Sequence, residues 1–480
     1  MRFLASDELG GRMTGSEGEK AAAEYAARRF QSLGLRPVDD DYFMPFEFAS
    51  DVALVAEANA LSTTTAGKSV VFELQKDFLP MAFGEDANIA VPVVFAGYGL
   101  KIPQDDGMPE RDDYAGLDVK DKAVVVFAGV PQDASPERLR RYNRYADLRY
   151  KALIAREKGA KALVVVDEAR PDKPIALKYD RTAGSSGIAA VSVRASVLDA
   201  LLKSSGKNFE RLKQEWSDDN PHRAGFEIKD ATLKLQTALR RQTTTGRNVV
   251  ALLAPAEANE YVVVGAHYDH LGRGETASRA EAQERTAVHN GADDNASGSA
   301  VVLELAEYFA DLYRKNSKDF KKGIVFALWS GEELGLIGST AYCEKPPVTA
   351  VACLNFDMVG RLRNNELILQ GTGSSNAWKP MIEKRNVAAG FDVKIQDDPY
   401  LPTDATSFYL KQIPVLSFFT GLHEQYHRPD DDADLLNYAG MERIAKFSAA
   451  LLKDLVFSTQ KPDYVKVSGS APSMRRASGV

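Results

Sequence analysis

At about 150 residues per domain, a chain of 480 residues has room for two to four domains. Its 44% hydrophobic and 26% charged residues match the ordinary globular average, which excludes fibrous repeats and wholesale disorder. A net charge of −7 without a basic block excludes an electrostatic grip on nucleic acid, and no apolar run is long enough to span a membrane. The opening MRFLASDELGGRM lacks the apolar core of a signal peptide, so the chain is either cytosolic or starts after a removed export signal. Two cysteines, Cys343 and Cys353, make one disulfide or two buried thiols, not a framework.

The first predicted element is a helix. Ser16 and Glu19 form an S-x-x-E capping box. Ala22, Tyr25, Ala26, Phe30 and Leu33 recur at helical spacing, and Gly34 then Pro37 stop the element. From about Asp77 short β-rich runs take over. VPVVFAGYGL (Val91 to Leu100), KAVVVFAG (Lys122 to Gly129) and AKALVVVDEA (Ala160 to Ala169) read as strands, with a helix over Tyr145 to Lys158. No cluster of His, Cys or paired carboxylates stands near a strand end there, so this stretch reads as a binding or covering module. After Arg240 strands alternate with helices. NVVALLAP, EYVVVGAHYDH, GIVFALWS, AVACLNFDMVG, ELILQ and IPVLSFF are predicted strands. ASGSAVVLELAEYFADLYR, the ELGLIGSTAYCE region and AGMERIAKFSAALLKDLV are predicted helices. The alternation predicts an α/β fold with a mostly parallel sheet.

Histidine is scarce: of six, His267, His270, His289, His423 and His427 share one stretch, and only His222 lies outside it. His267, Asp269 and His270 follow the VVVGA strand, and Glu332 and Glu333 follow IVFALW. Asp357 closes VACLNF, and His427 comes after IPVLSFF. Sites in open α/β sheets form outside the carboxyl ends of the strands, so these residues are candidates to converge. Asp293 and Asp294 lie in the loop NGADDNASGS before a helix, where an acid also serves simply as a partner of the helix amino terminus. Imidazole with carboxylate suits zinc, or less selectively cobalt or manganese. Two histidines and three carboxylates exceed one tetrahedral zinc and suffice for two ions about 3.5–4 Å apart.

HYDHLG, GADDNASG, SGEELGLIGS, NFDMVGR and the later YH together resemble the five blocks of co-catalytic zinc aminopeptidases, a superfamily that includes glutamate carboxypeptidases and the transferrin receptor ectodomain. The β-rich stretch, with GYG, DDYAGLDVKDKAVVV and EKGAKALVVVDE, resembles a protease-associated (PA) domain. FLASDELGGRMTGSEGEKAAAEYAARRF resembles the start of bacterial members that carry this insertion. The resemblance implies a mixed, mostly parallel sheet sandwiched by helices. It divides the chain into 1–76 and 238–460 for the peptidase domain, 77–237 for the inserted domain and 461–480 for a flexible tail. It implies two zinc ions, with Asp294 bridging, His267 and Asp357 completing one site, and Glu333 and His427 the other. Asp269 would accept the His267 hydrogen bond. Glu332 would be the general base on the zinc-bridging water, and Tyr426 would donate to the oxyanion. Peptide substrates and an extracytoplasmic location follow from the same resemblance.

His423-Glu424-Gln425-Tyr426-His427 also matches HExxH, which holds a metal only inside a helix. Gly421 before it and Pro429 with Asp430 to Asp432 after it predict a loop. The glycosylation sequon Asn295-Ala296-Ser297 is read as coincidental. A carboxypeptidase or dipeptidase on the same metals would need cations for the substrate carboxylate, and Arg361 and Arg363 are the candidates. A PA-bearing receptor with a dead site would lack ligands, and here every block is filled. A glutaminyl-cyclase-type acyltransferase would use a single metal. Phe408, Tyr409, Phe418 and Phe419 are either pocket walls or core.

Overall fold

The computed structural model describes residues 1–102, 104, 109–177, 186–256, 258–284 and 286–467. The chain forms two compact units, one of Met1–Phe48 with Thr243–Val480, the other of Ala49–Gln242.

The first unit is built on nine strands: β1 (Arg36–Pro37), β2 (Phe43–Leu54), β3 (Leu239–Leu253), β4 (Tyr261–His267), β5 (Gly323–Trp329), β6 (Ala350–Phe356), β7 (Glu366–Gln370), β8 (Asp392–Gln396) and β9 (Val415–Phe419). Their order is β1-β3-β5-β4-β6-β9-β7-β8, with β2 also on β3. The middle strands β5, β4, β6 and β9 run parallel, and β3 and β7 join them antiparallel. This is the mixed, mostly parallel sheet expected. The middle strands β4, β5, β6 and β9 are nearly continuous apolar runs because both faces are covered. Val262, Val264 and Ala266 of β4 pack on the helices Glu17–Ser32, Gly298–Asn316 and Tyr438–Phe457, whereas Tyr261 and Val263 face Tyr342, Phe408 and Tyr409. Phe408 and Tyr409, together with Phe418 stacked on Phe356 at 4.6 Å, are therefore core residues. Cys343 and Cys353 are buried free thiols.

Only half of the predicted capping box forms. Ser16 caps the first helix by accepting from the Glu19 amide at 3.1 Å, but the Glu19 side chain turns inward. It accepts instead from the Arg247 amide and the Tyr268 hydroxyl, each at 2.9 Å. At the other end, residues 461–467 depart from the expected tail. The Val465 amide donates to the Ser374 carbonyl and the Val467 amide to the Tyr409 hydroxyl, both at 2.8 Å, and Asp463 accepts from Ser375 and Asn376. The rest of that tail, 468–480, lies outside the described residues.

The second unit holds an eight-stranded sheet whose centre, Ala87–Phe95, Ala123–Phe127, Ala162–Val166 and Ala189–Val193, is parallel. It begins at Ala49 and not at residue 77, because Ala60–Thr65 pairs with Lys68–Phe72 on one side and with Phe226–Thr237 on the other. A boundary at 77 would cut that sheet. The strand predicted to reach Leu100 ends at Phe95, since Gly97 and Gly99 turn the chain with φ of 54° and 65°. A Cβ at Gly97 would also lie 1.8 Å from the Trp216 ring.

Candidate metal centre

The four parallel strands deliver their carboxyl ends to one edge of the sheet. His267 is the last residue of β4, and Glu332 and Glu333 follow β5 after Ser330 and Gly331. Asp357 follows β6 directly, and His427 arrives from the loop beyond β9. Asp293 and Asp294 come from the loop that feeds the helix Gly298–Asn316.

These residues meet around Asp294. Its Oδ1 lies 3.2 Å from His267 Nε2, and its Oδ2 lies 3.2 Å from His427 Nε2. Asp357 Oδ1 stands 3.4 Å from His267 Nε2, and Glu333 Oε2 stands 3.3 Å from His427 Nε2. Two donor triads thus share one carboxylate. Ligands at about 2.0–2.1 Å from a tetrahedral zinc sit about 3.3 Å from one another, so both triads have the right spacing for such an ion. Glu332 Oε2 stands back, 3.9 Å from His267 Nε2. The electrostatics ask for cations. Burial works against charge on both imidazoles, yet Glu332 with Asp269 around His267, and Glu333 with Asp294 around His427, push both well above the usual histidine range. Burial would raise Asp294, but its bonds to His267 and His427 hold it well below the usual carboxylate range.

The surrounding residues fix this geometry. The His267 Nδ1 faces the Asp269 carbonyl at 3.1 Å, closer than the Asp269 carboxylate at 3.7 Å. The expected contact between His267 and the Asp269 side chain is thus made chiefly by the backbone of the same residue. The carboxylate serves the neighbouring loop, accepting from the Glu332 amide at 3.2 Å. His427 Nδ1 donates to the Ala277 carbonyl at 3.0 Å, and His427 holds a left-handed backbone, with φ of 59°. Tyr426 stacks its ring on the His427 imidazole at 3.9 Å, and the Arg279 guanidinium lies over the Tyr426 ring at 4.9 Å.

Sequence reasoning gave no role to two residues here. His270 Nδ1 lies 2.7 Å from Glu333 Oε1 and 3.9 Å from Asp294 Oδ2. His270, Glu333 and Asp294 thus also form a group that could hold a metal ion; His427, whose Nε2 stands 3.2 Å from Asp294 and 3.3 Å from Glu333, is the imidazole at ligand spacing from both, with His270 hydrogen-bonded to Glu333. The motif HYDH shows both imidazoles, but its spacing does not say which carboxylate each will meet. Asp431, which read only as part of an acidic loop, is fully buried. Its Oδ2 accepts the amides of Asp293 and Asp294 at 2.9 and 3.1 Å, anchoring the loop that presents the shared carboxylate.

The HExxH stretch is a series of turns. His423 Nε2 lies 3.2 Å from Asp293 Oδ2, away from the two triads, and Glu424 is exposed. Glu424→Gln should therefore keep near-parental turnover and metal content. A loss of about 10²-fold or more, the cost of removing a general base, would restore the zincin reading. Asn295 is buried and gives its Nδ2 to the Phe356 carbonyl, so its sequon offers no glycosylation site. Arg361 is engaged by Leu435, Gln425 and Asp431, and Arg363 donates to the Leu422 carbonyl.

Residues 248–452 match the model of peptidase family M28. An aminopeptidase of Pseudomonas aeruginosa is 26% identical over 378 residues, which cover 77% of this chain and 58% of that protein. The chain thus spans little more than half the length of that relative. Aminopeptidase YwaD of Bacillus subtilis is 24% identical over 482 residues, covering 96% of this chain and 85% of that one. Among solved structures, a zinc aminopeptidase from Bacillus subtilis shares the fold at a TM-score of 0.51, with 20% identity over 96% of this chain and 94% of that chain.

Proposed function

We propose that the chain is a zinc-dependent aminopeptidase releasing amino-terminal residues from peptides, a reading supported by the match of residues 248–452 to the model of peptidase family M28. The observation that carries this reading is Asp294, whose two oxygens each face a different histidine at 3.2 Å. His267, Asp294 and Asp357 would hold one zinc, and His427, Asp294 and Glu333 the other. When bound, such a pair polarises a scissile carbonyl and lowers the pKa of water.

The remaining work falls to the chain's own groups. Glu332 stands outside both triads, so its carboxylate is free to accept a proton from the attacking water and pass it to the leaving amine. Its amide is fixed on Asp269, which sets where the carboxylate can reach. The same acidic group can hold the free α-ammonium of the substrate, which favours cleavage next to an amino terminus. Tyr426, held flat on His427, is the candidate donor to the oxyanion. The sequence resemblance of the Ala49–Gln242 unit to a PA domain makes a PA-like module part of the same proposal. An extracytoplasmic location belongs to the same proposal, on the family resemblance, and fractionation of the native host tests it.

The deciding experiment combines zinc content with a panel of chromogenic peptides. Two zinc equivalents per chain, loss of activity to chelators and cleavage only of substrates with a free amino terminus are expected. One tight equivalent with full activity would end the two-metal reading. Cleavage of amino-blocked substrates that carry a free carboxylate would favour the carboxypeptidase.

A further inference from the structure

Behind the metal centre, a short piece of the amino-terminal segment is wired into the site. Thr14 is 3% exposed, Ser330 and Asp269 not at all. The Thr14 hydroxyl donates to Asp269 Oδ2 at 2.8 Å and accepts from the Ser330 hydroxyl at 3.4 Å. Asp269 uses its other oxygen for the Glu332 amide, and its carbonyl for His267 Nδ1. One hydroxyl thus fixes the residue that touches both a candidate zinc ligand and the loop of the candidate base. Arg12 keeps this segment in register. Its buried guanidinium donates to the carbonyls of Tyr268, Asn290 and Gly291, on the two loops that present His267 and Asp294, and to that of Leu4.

We propose that Thr14 is a positioning residue of the metal centre, acting through Asp269 on His267 and Glu332. The inference rests on the aminopeptidase reading for what Glu332 does, but not for the geometry at His267. Without the Thr14 hydroxyl, Asp269 Oδ2 is left buried without its donor, and the carboxylate is free to turn toward other partners. Both the imidazole and the Glu332 loop then lose their fixed reference. Partners of this kind are typically worth 10–100-fold in metal affinity or activity.

Two substitutions separate this role from simple packing. Thr14→Val keeps the shape and removes the hydroxyl, whereas Thr14→Ser keeps the hydroxyl and removes a methyl. In the zinc-loaded 480-residue chain, Thr14→Val should release one zinc equivalent to a competing chelator about 10–100-fold more readily. It should also lower kcat with little change in KM, while Thr14→Ser stays close to the parent in both. Ser330→Ala, which leaves the Thr14–Asp269 bond intact, should stay close to the parent as well. A packing role predicts the reverse order, with Val tolerated better than Ser, and that order would overturn the inference. So would zinc release from Thr14→Val at the parental rate. If the parent turns over no aminoacyl amide but zinc release still separates Val from Ser, the aminopeptidase reading falls and the positioning role stands.

Discussion

Glu332→Gln should cost about 10²–10⁴-fold in turnover, the usual worth of a general base, while the protein keeps both zinc equivalents. The geometry separates the two adjacent glutamates. Glu333 lies inside a triad, 3.3 Å from His427 Nε2, with its second oxygen taken by His270 at 2.7 Å. Burial would raise its pKa, but His427 and His270 hold Glu333 down at about 2. Glu332 has no such cationic clasp. Burial pushes its carboxyl well above the usual range, His267 draws it back, and Glu333, Asp357 and Asp404 push it up further. A carboxyl raised in this way is suited to accept a proton and give it up again. The glutamine variant keeps the backbone amide that binds Asp269, so the loop should hold its shape. Glu333→Gln should instead weaken zinc at the His427 site. The check is kcat beside zinc content for both variants. Swapped phenotypes would exchange the two roles, and normal turnover in Glu332→Gln would remove it from the mechanism.

The sequence exposes the first unit well because its physics is local. Runs such as YVVVGA and GIVFALW are apolar throughout since their strands are buried on both faces, and the polar residues that break each run mark the strand ends. His267 and Asp357 could be placed at the sheet edge from that break alone. What stayed hidden depends on contacts between distant parts of the chain. Thr14 meets Asp269 across 255 positions, and nothing near Thr14 in the sequence announces that contact. The contact between His270 and Glu333 is equally a matter of where two loops land. The start of the second unit was missed for a different reason. Ala60–Thr65 is mostly small polar residues with only Leu61 as a large apolar anchor, so its strand pattern is weak, and pairing with Phe226–Thr237 decides its place. Glu19 shows a local rule overridden: the capping-box position offers one backbone amide, whereas the interior offers the Arg247 amide and side chain and the Tyr268 hydroxyl.

Asp294→Ala should abolish the two-ion site as a whole, a larger loss of metal than any other single ligand change. Each triad has its own histidine and its own second carboxylate, and Asp294 is the one residue of the assignment they share. Asp357→Asn should therefore weaken one site and leave a zinc at the other, whereas Asp294→Ala leaves each ion only two donors. The backbone is expected to survive the change, because Asp431 binds the amides of residues 293 and 294 and not the side chain that is removed. Zinc-induced stabilisation measures this without any assay of activity. An ion present at about 100 times its Kd stabilises the folded state by about 2.7 kcal/mol per independent site. The parent protein, stripped and then titrated with zinc, should gain on that scale at both sites, Asp357→Asn at one, and Asp294→Ala at neither. Two tight equivalents in Asp294→Ala would show that the triads are independent, and the shared carboxylate would then have no part in joining them.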